Sequence, residues 1–171
     1  MRLRRKVCLL GAPGVGKTSV VRRFVEQRFD DDHDSSISMA ISKGELQLGE
    51  VSLEMMLWDP GGDEASAQYH RSFISGASGL VFVADATKPR SLDHLLEAQT
   101  KGLGFTSSRP SILLINKTDE TRHFALSKAQ LDTAKAFPWH MIQASAKSGD
   151  NVVQAFTKLA ELMIETRKAT G

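Results

Sequence analysis

Apolar residues fall along this chain in short continuous runs and in stripes of helical spacing, and the two patterns alternate. Lys6 to Leu10 is almost wholly apolar and runs into glycine, which predicts a buried strand. Lys17 to Gln27 carries Val20, Val21, Phe24 and Val25 on one face of a helix. Asp30 to Ser38, with Asp30, Asp31, Asp32 and Asp34, reads as a polar loop. Met39 to Gln47 and Val51 to Trp58 predict a hairpin around Leu48-Gly49-Glu50. In its second arm, two-residue alternation puts Val51, Leu53, Met55 and Leu57 on one side. A glycine-rich break precedes a helix from about Glu64 to Ser75. Beyond it, strands are expected at Leu80–Ala84, Ser111–Ile115 and His140–Ala144, and helices at Ser91–Lys101, Ser127–Ala136 and Asn151–Thr166. The last helix has Val152, Val153, Phe156, Leu159, Ala160 and Met163 at helical spacing.

Alternation of this kind predicts an α/β fold: a mostly parallel six-stranded sheet with one antiparallel hairpin strand and helices on both faces. Residues 1–171 suit a single domain, without an internal repeat, low-complexity tract or interdomain linker. In such sheets ligands gather at the carboxyl ends of the strands.

Composition narrows the picture only a little. Hydrophobic residues make up 41% and charged residues 25%, as in ordinary globular proteins. A net charge of +2 is too small to argue for nucleic acid or a membrane surface. The single cysteine, Cys8, sits in the first apolar run and reads as a small core hydrophobe. Unable to form an internal disulfide, it favours a reducing, cytoplasmic setting. The basic start, Met1 to Lys6, reads as a solvated lead-in to the first strand, because no signal-peptide apolar segment follows it. No apolar stretch approaches the roughly 18 to 20 residues of a membrane span. Thr166 to Gly171 holds no cysteine for a prenyl group, so peripheral membrane attachment by that route would need residues beyond Gly171.

Directly after the first strand stands Gly11-Ala12-Pro13-Gly14-Val15-Gly16-Lys17-Thr18, which fits G-x-x-x-x-G-K-[ST] and opens the first helix. Glycines let backbone N–H groups curl around phosphate oxygens, and the helix N-terminus adds further N–H groups and a positive dipole end. Lys17 supplies a point charge for the outer phosphates, and Thr18 a hydroxyl for magnesium. The motif by itself says nucleoside triphosphate, a property that kinases and ATPases share.

Asn116-Lys117-Thr118-Asp119 follows the strand that ends at Ile115, and Ser145-Ala146-Lys147 follows the next strand. With these two motifs in this order the chain resembles the small GTPases, whose base-reading sequences are N-K-x-D and S-A-K. The resemblance runs from Lys6 to Glu165 and is nearest to the Rab-like branch, in Trp58 and in the run Ser145 to Leu159. It implies a P-loop fold that binds GTP and GDP with magnesium and hydrolyses GTP. Asp119 would take the guanine ring N–H and exocyclic amine, which adenine lacks, a mismatch that discriminates strongly. Lys117 would lay its stem along the base, Asn116 would tie this loop to the P-loop, and the Ala146 N–H would donate to the guanine carbonyl. Phosphate contacts fall on Gly14, Val15, Gly16, Lys17, Thr18 and Ser19.

The resemblance extends to the two switch segments. Asp59-Pro60-Gly61-Gly62 fits D-x-x-G, with Asp59 holding magnesium through water and the Gly62 N–H meeting the γ-phosphate. Ser36 stands where the family has its magnesium-binding threonine and keeps the hydroxyl. Phe29 matches the aromatic that packs on guanine, with a core phenylalanine closing the first helix as the alternative. Two departures bear on catalysis. Asp63 replaces the glutamine that orients attacking water; it is shorter and negative, so slow hydrolysis is expected, unless Asp63 positions water in another geometry. Pro13 lacks an N–H and crowds the approach to the reacting phosphate. A GTP-binding module with little hydrolysis and a P-loop kinase are the rival readings.

Through the switches the resemblance implies an effector, an exchange factor and an activating protein. An aromatic trio helps set effector binding in Rab-like relatives, and the matching positions are Ile41, Trp58 and Phe73. Alternation puts Trp58 and Met56 on the hairpin face opposite Leu57; packing of Trp58 under the second-switch helix is the alternative.

Overall fold

The computed structural model describes residues 1–27, 39–60, 67–101 and 109–170, with only the backbone described at 67–70 and 167–170. Its elements run β1 (Arg2–Leu10), α1 (Lys17–Glu26), β2 (Met39–Leu48), β3 (Val51–Pro60), α2 (Ala67–Ile74), β4 (Gly79–Asp85), α3 (Pro89–Thr100), β5 (Ser111–Asn116), a 3₁₀ turn (Thr121–His123), α4 (Lys128–Lys135), β6 (His140–Gln143) and α5 (Val152–Thr170). The strands form one sheet in the order β2-β3-β1-β4-β5-β6. Only β2–β3 is antiparallel; the four other pairings are parallel, as a hairpin followed by helical crossovers requires.

Alternation along the buried strands sorts side chains into two cores. Val7, Leu9, Leu53, Met55, Leu57, Val81, Val83, Ile112 and Leu114 meet α1 and α5 on one face. There the Phe24 and Phe156 rings stack with centroids 4.1 Å apart. Cys8, Leu10, Leu80, Phe82, Leu113 and Ile115 point the other way, onto Phe73 and Ile74 of α2, Leu92 and Leu95 of α3 and Ala134 of α4. β4 and β5 are buried along their whole length, so they read as continuous apolar runs. Cys8 is fully buried, and burial pushes its thiol up to about 11, the mark of an inert core cysteine.

One expectation is corrected. Arg2 to Arg5 is not a lead-in but the first half of β1, paired in register with Ser52 to Met55, while Arg2 and Arg4 keep their side chains solvated as expected. Charged residues fit there because the outer face of this half-sheet is polar: Arg2 and Arg4 alternate outward and bind Glu54 of β3. The second hairpin arm likewise runs two residues beyond Trp58, and α5 continues to Thr170. The predicted helix start at residues 64–66 lies outside the described residues.

A candidate nucleotide site at the carboxyl edge of the sheet

The carboxyl ends of β1, β3, β4, β5 and β6 all open on one edge, which gathers residues 11–18, Asp59, Asp85, 116–119 and 144–147. β1 gives way to the loop of Gly11 to Gly16, and α1 starts at Lys17 without a side-chain cap, leaving its first N–H groups to the loop side. Gly16 has φ 102°, and a Cβ there would collide with the Asn116 amide, so only glycine lets the loop pass so close to β5. Lys17 is 7% exposed and donates to the Gly11 and Ala12 carbonyls at 2.6 and 3.3 Å. Thr18 Oγ1 donates to Asp59 Oδ2 at 2.6 Å, and Ser19 is buried in the first turn behind them.

Base-loop residues converge on the same loop. Asn116 Nδ2 donates to the Val15 carbonyl at 3.0 Å, while its Oδ1 accepts from the Ala146 N–H at 3.0 Å. A single 2%-exposed amide thus joins the P-loop to the S-A-K loop, with both its ends used. The Ala146 N–H expected at the guanine carbonyl is therefore engaged by Asn116, because a buried donor takes the acceptor within reach. Asp119 Oδ1 accepts from Ser145 Oγ at 2.6 Å, and Thr118 Oγ1 donates to the Ala144 carbonyl at 2.8 Å. Lys117 sits at φ 65°, in the left-handed region, and its ammonium donates to the Gly14 carbonyl at 2.9 Å. Lys147 contributes its carbonyl to this region.

Thr18 and Asp59 present hard oxygens side by side, the donor set that magnesium prefers when phosphate oxygens and water fill its other positions. No group of three or more His, Cys, Asp or Glu suited to a metal is found among the described residues. Phe29, Ser36, Gly62 and Asp63 lie outside the described residues.

The sequence profile of the Ras family matches residues 6–165. The chain belongs to the Ras family. Among curated relatives of this Ras-family domain, the Ras-related protein RABC1 of Arabidopsis thaliana is 31% identical over 97% of the chain and 80% of its own length. Rab-7b of Bos taurus is 32% identical over 91% of the chain and 80% of its own length. Rab-1 of Theileria parva is 28% identical over 92% and 73%. The domain is a Rab-like small GTPase of the GTP-binding switch type, and Ras-family GTPases bind GTP and GDP with magnesium. No described helix is long and apolar enough to cross a membrane.

Two contributors to the site escape the motifs. Asp85 ends β4 fully buried, and its Oδ2 pairs with Lys117 Nζ at 2.8 Å. Burial pushes this carboxyl up, but Lys117 and the two Thr87 hydrogen bonds to Oδ1 outweigh it and hold it below its ordinary value. An acid closing the apolar run Leu80 to Ala84 was the available signal for Asp85. Arg23 of α1 reaches the Ala146 and Lys147 carbonyls, a contact across more than a hundred residues that leaves no local pattern.

Of the three positions matched to the partner surface, Ile41 is 51% exposed and Phe73 only 5%. Phe73 is a core residue, since α2 turns it onto the sheet beside Cys8. Trp58 is half-buried between them, edge-on to Phe73 at 6.3 Å and capped by the Lys6 ammonium 4.0 Å from its centroid. The packing alternative for Trp58 therefore describes its inner edge, and the opening toward Ile41, its cross-strand partner, describes its outer one.

Proposed function

We propose that this chain is a guanine-nucleotide switch that binds GTP and GDP with magnesium and hydrolyses GTP slowly. The observation that carries the reading is the hydrogen-bonded union of the P-loop with both base loops through Asn116, Lys117 and Ser145. A generic phosphate loop has no need of a carboxylate held in place by a serine from the loop after the neighbouring strand; a guanine reader has. Asp119 takes the ring N–H and amine, Lys117 flanks the base, and the Ala146 N–H shares itself between Asn116 and the guanine carbonyl. Lys17 exchanges its P-loop carbonyls for phosphate oxygens, and the N–H groups of Gly14 to Ser19 line the phosphates. Thr18, Ser36 and, through water, Asp59 are the residues that would hold magnesium. When bound, that ion screens the phosphate charge.

In phosphoryl transfer to water, Lys17 and the loop N–H groups stabilise the charge that moves onto the leaving oxygen. The Gly62 N–H meets the γ-phosphate, and Asp63 stands where a water-orienting glutamine is usual. An anion there repels the γ-phosphate and reaches less far, which slows the reaction. Effector, exchange factor and activating protein bind through the switches and the patch around Ile41 and Trp58. A second reading, a GTP-binding module with little or no hydrolysis, is favoured by Asp63 together with the exposed Pro13.

Loading the purified chain with GTP and magnesium and separating the bound nucleotide by chromatography over hours tests both. Slow conversion to GDP, faster in Asp63→Gln, is the expected result. Persistent GTP in the wild type supports the module, and an unchanged or lower rate in Asp63→Gln refutes the stated cause of slowness.

A further inference from the structure

Arg23 projects from the last turn of α1, and each nitrogen of its guanidinium ends on a carbonyl. Nε donates to Ala146 at 2.7 Å, Nη2 to Lys147 at 2.5 Å and Nη1 to Gln27 at 3.2 Å. A planar fork that meets two consecutive carbonyls fixes the peptide between them in position and in plane. The loop turns back under this clamp. Gly149 is in the left-handed region at φ 92°, its N–H donates to the Ser145 carbonyl at 2.8 Å, and the Ser148 N–H donates to Ser145 Oγ at 3.0 Å. Ser145 Oγ in turn donates to Asp119 Oδ1 at 2.6 Å. Arg23 is thus one end of a short chain of contacts: guanidinium, peptide 146–147, Ser145 hydroxyl, Asp119 carboxylate. Its other end is α1, whose N-terminus opens the phosphate loop.

We propose that Arg23 is a positioning residue for guanine recognition: by holding the Ala146 and Lys147 carbonyls against α1 it fixes the loop that aims Asp119 at the base. The proposal rests on the reading of Asp119 as the guanine-binding carboxylate. All three guanidinium nitrogens of Arg23 are engaged on backbone carbonyls, so its effect is on the accuracy of the loop. Loss of the clamp frees Ser145, and the advantage of a base with an exocyclic amine falls. A role confined to anchoring the end of α1 would weaken every nucleotide alike.

GDP and IDP separate these roles, because hypoxanthine lacks only the amine that Asp119 takes. Dissociation rates and affinities of both are measured on the full chain, on Arg23→Ala and on Arg23→Lys, with thermal unfolding alongside. In Arg23→Ala, loss of the two charge-assisted bonds to the 146–147 peptide, along with the one to Gln27, releases GDP about tenfold faster. IDP release changes about threefold, so the preference for GDP shrinks about threefold. Arg23→Lys, with one point charge in place of a fork, recovers part of the preference. Equal losses for GDP and IDP in the variants overturn the proposal and make Arg23 a general anchor. If Arg23→Ala does not fold, the Arg23→Lys ratio decides in the same way. A wild type that binds neither nucleotide removes the guanine reading itself. A wild type that prefers GDP, with the ratio unchanged in the variants, removes only the role of Arg23.

Discussion

Polar side chains do opposite work at two places on this sheet. At its carboxyl edge Asn116, Lys117, Ser145 and Arg23 spend their hydrogen bonds on loop backbone or on the carboxylates of Asp85 and Asp119, each reaching beyond its own loop or helix. On the outer face of β1, β3 and β2, Arg2, Arg4, Lys43 and Glu45 gather around the single carboxylate of Glu54. The first arrangement sets the shape of loops that the strands cannot hold by pairing. In the second, pairing already holds the strands, and the charges cover the polar end of that face. Removing a group from the first should change which ligand is bound; removing one from the second should change stability without changing ligand choice.

The largest expected effect belongs to Asp119→Asn. An amide keeps the acceptor that Ser145 uses but places a donor where the guanine amine would sit. GDP affinity is expected to fall about a thousand-fold, and XDP affinity to rise, since xanthine offers a carbonyl at that position. Competition binding with the two nucleotides reads it directly. Retained guanine preference would break the comparison at its first term, because the carboxyl-edge polar groups would then not be selecting the base.

Trp58→Ala probes the boundary between the regions. Trp58 packs edge-on to Phe73 and under Lys6, but it is not fully buried. Truncation is expected to cost about 2 kcal/mol in urea unfolding of the GDP-bound chain, less than a fully buried tryptophan. GDP release should stay within about twofold of wild type, because the base and P-loop bonds described above do not involve Trp58. Release that accelerates in step with the lost stability would place Trp58 with the nucleotide site.

The two regions also differed in how well they could be read. Strand and helix alternation, the P-loop and the two base motifs were legible because each is a local pattern: a period, or fixed residue types directly after a strand. Arg23 and Asp85 were not, since their roles arise only when strand ends far apart in sequence meet at one edge. Arg2 to Arg5 misled for a related reason. Three cationic residues in four positions look like a segment before the strand until β3 pairs with them and supplies Glu54. Phe73 carried the signature of a surface aromatic by its matched position, and the turn of α2 put it in the core.

Glu54 gives the smallest effect and the sharpest sign. The hydrogen bond from Lys43, followed by those from Arg4 and Arg2, outweighs the upward push of burial and lowers its carboxyl from 4.5 to about 2. A group depressed on folding stabilises the native state above its unfolded value, and that stabilisation is lost as pH falls toward the folded one. The wild type should therefore be more stable than Glu54→Gln at pH 6.5, and the gap should narrow once pH passes below 4.5. Asp85, also depressed, titrates in the same direction in both proteins and cancels from the difference. Urea unfolding at steps from about pH 6.5 to 3.5 measures the gap. A gap that stays constant would mean that the three cations hold glutamine as well as glutamate, so that the outer face is held by shape and not by charge. GDP release should be equal in the two proteins throughout the neutral range, and a difference there would tie the outer face to the nucleotide after all.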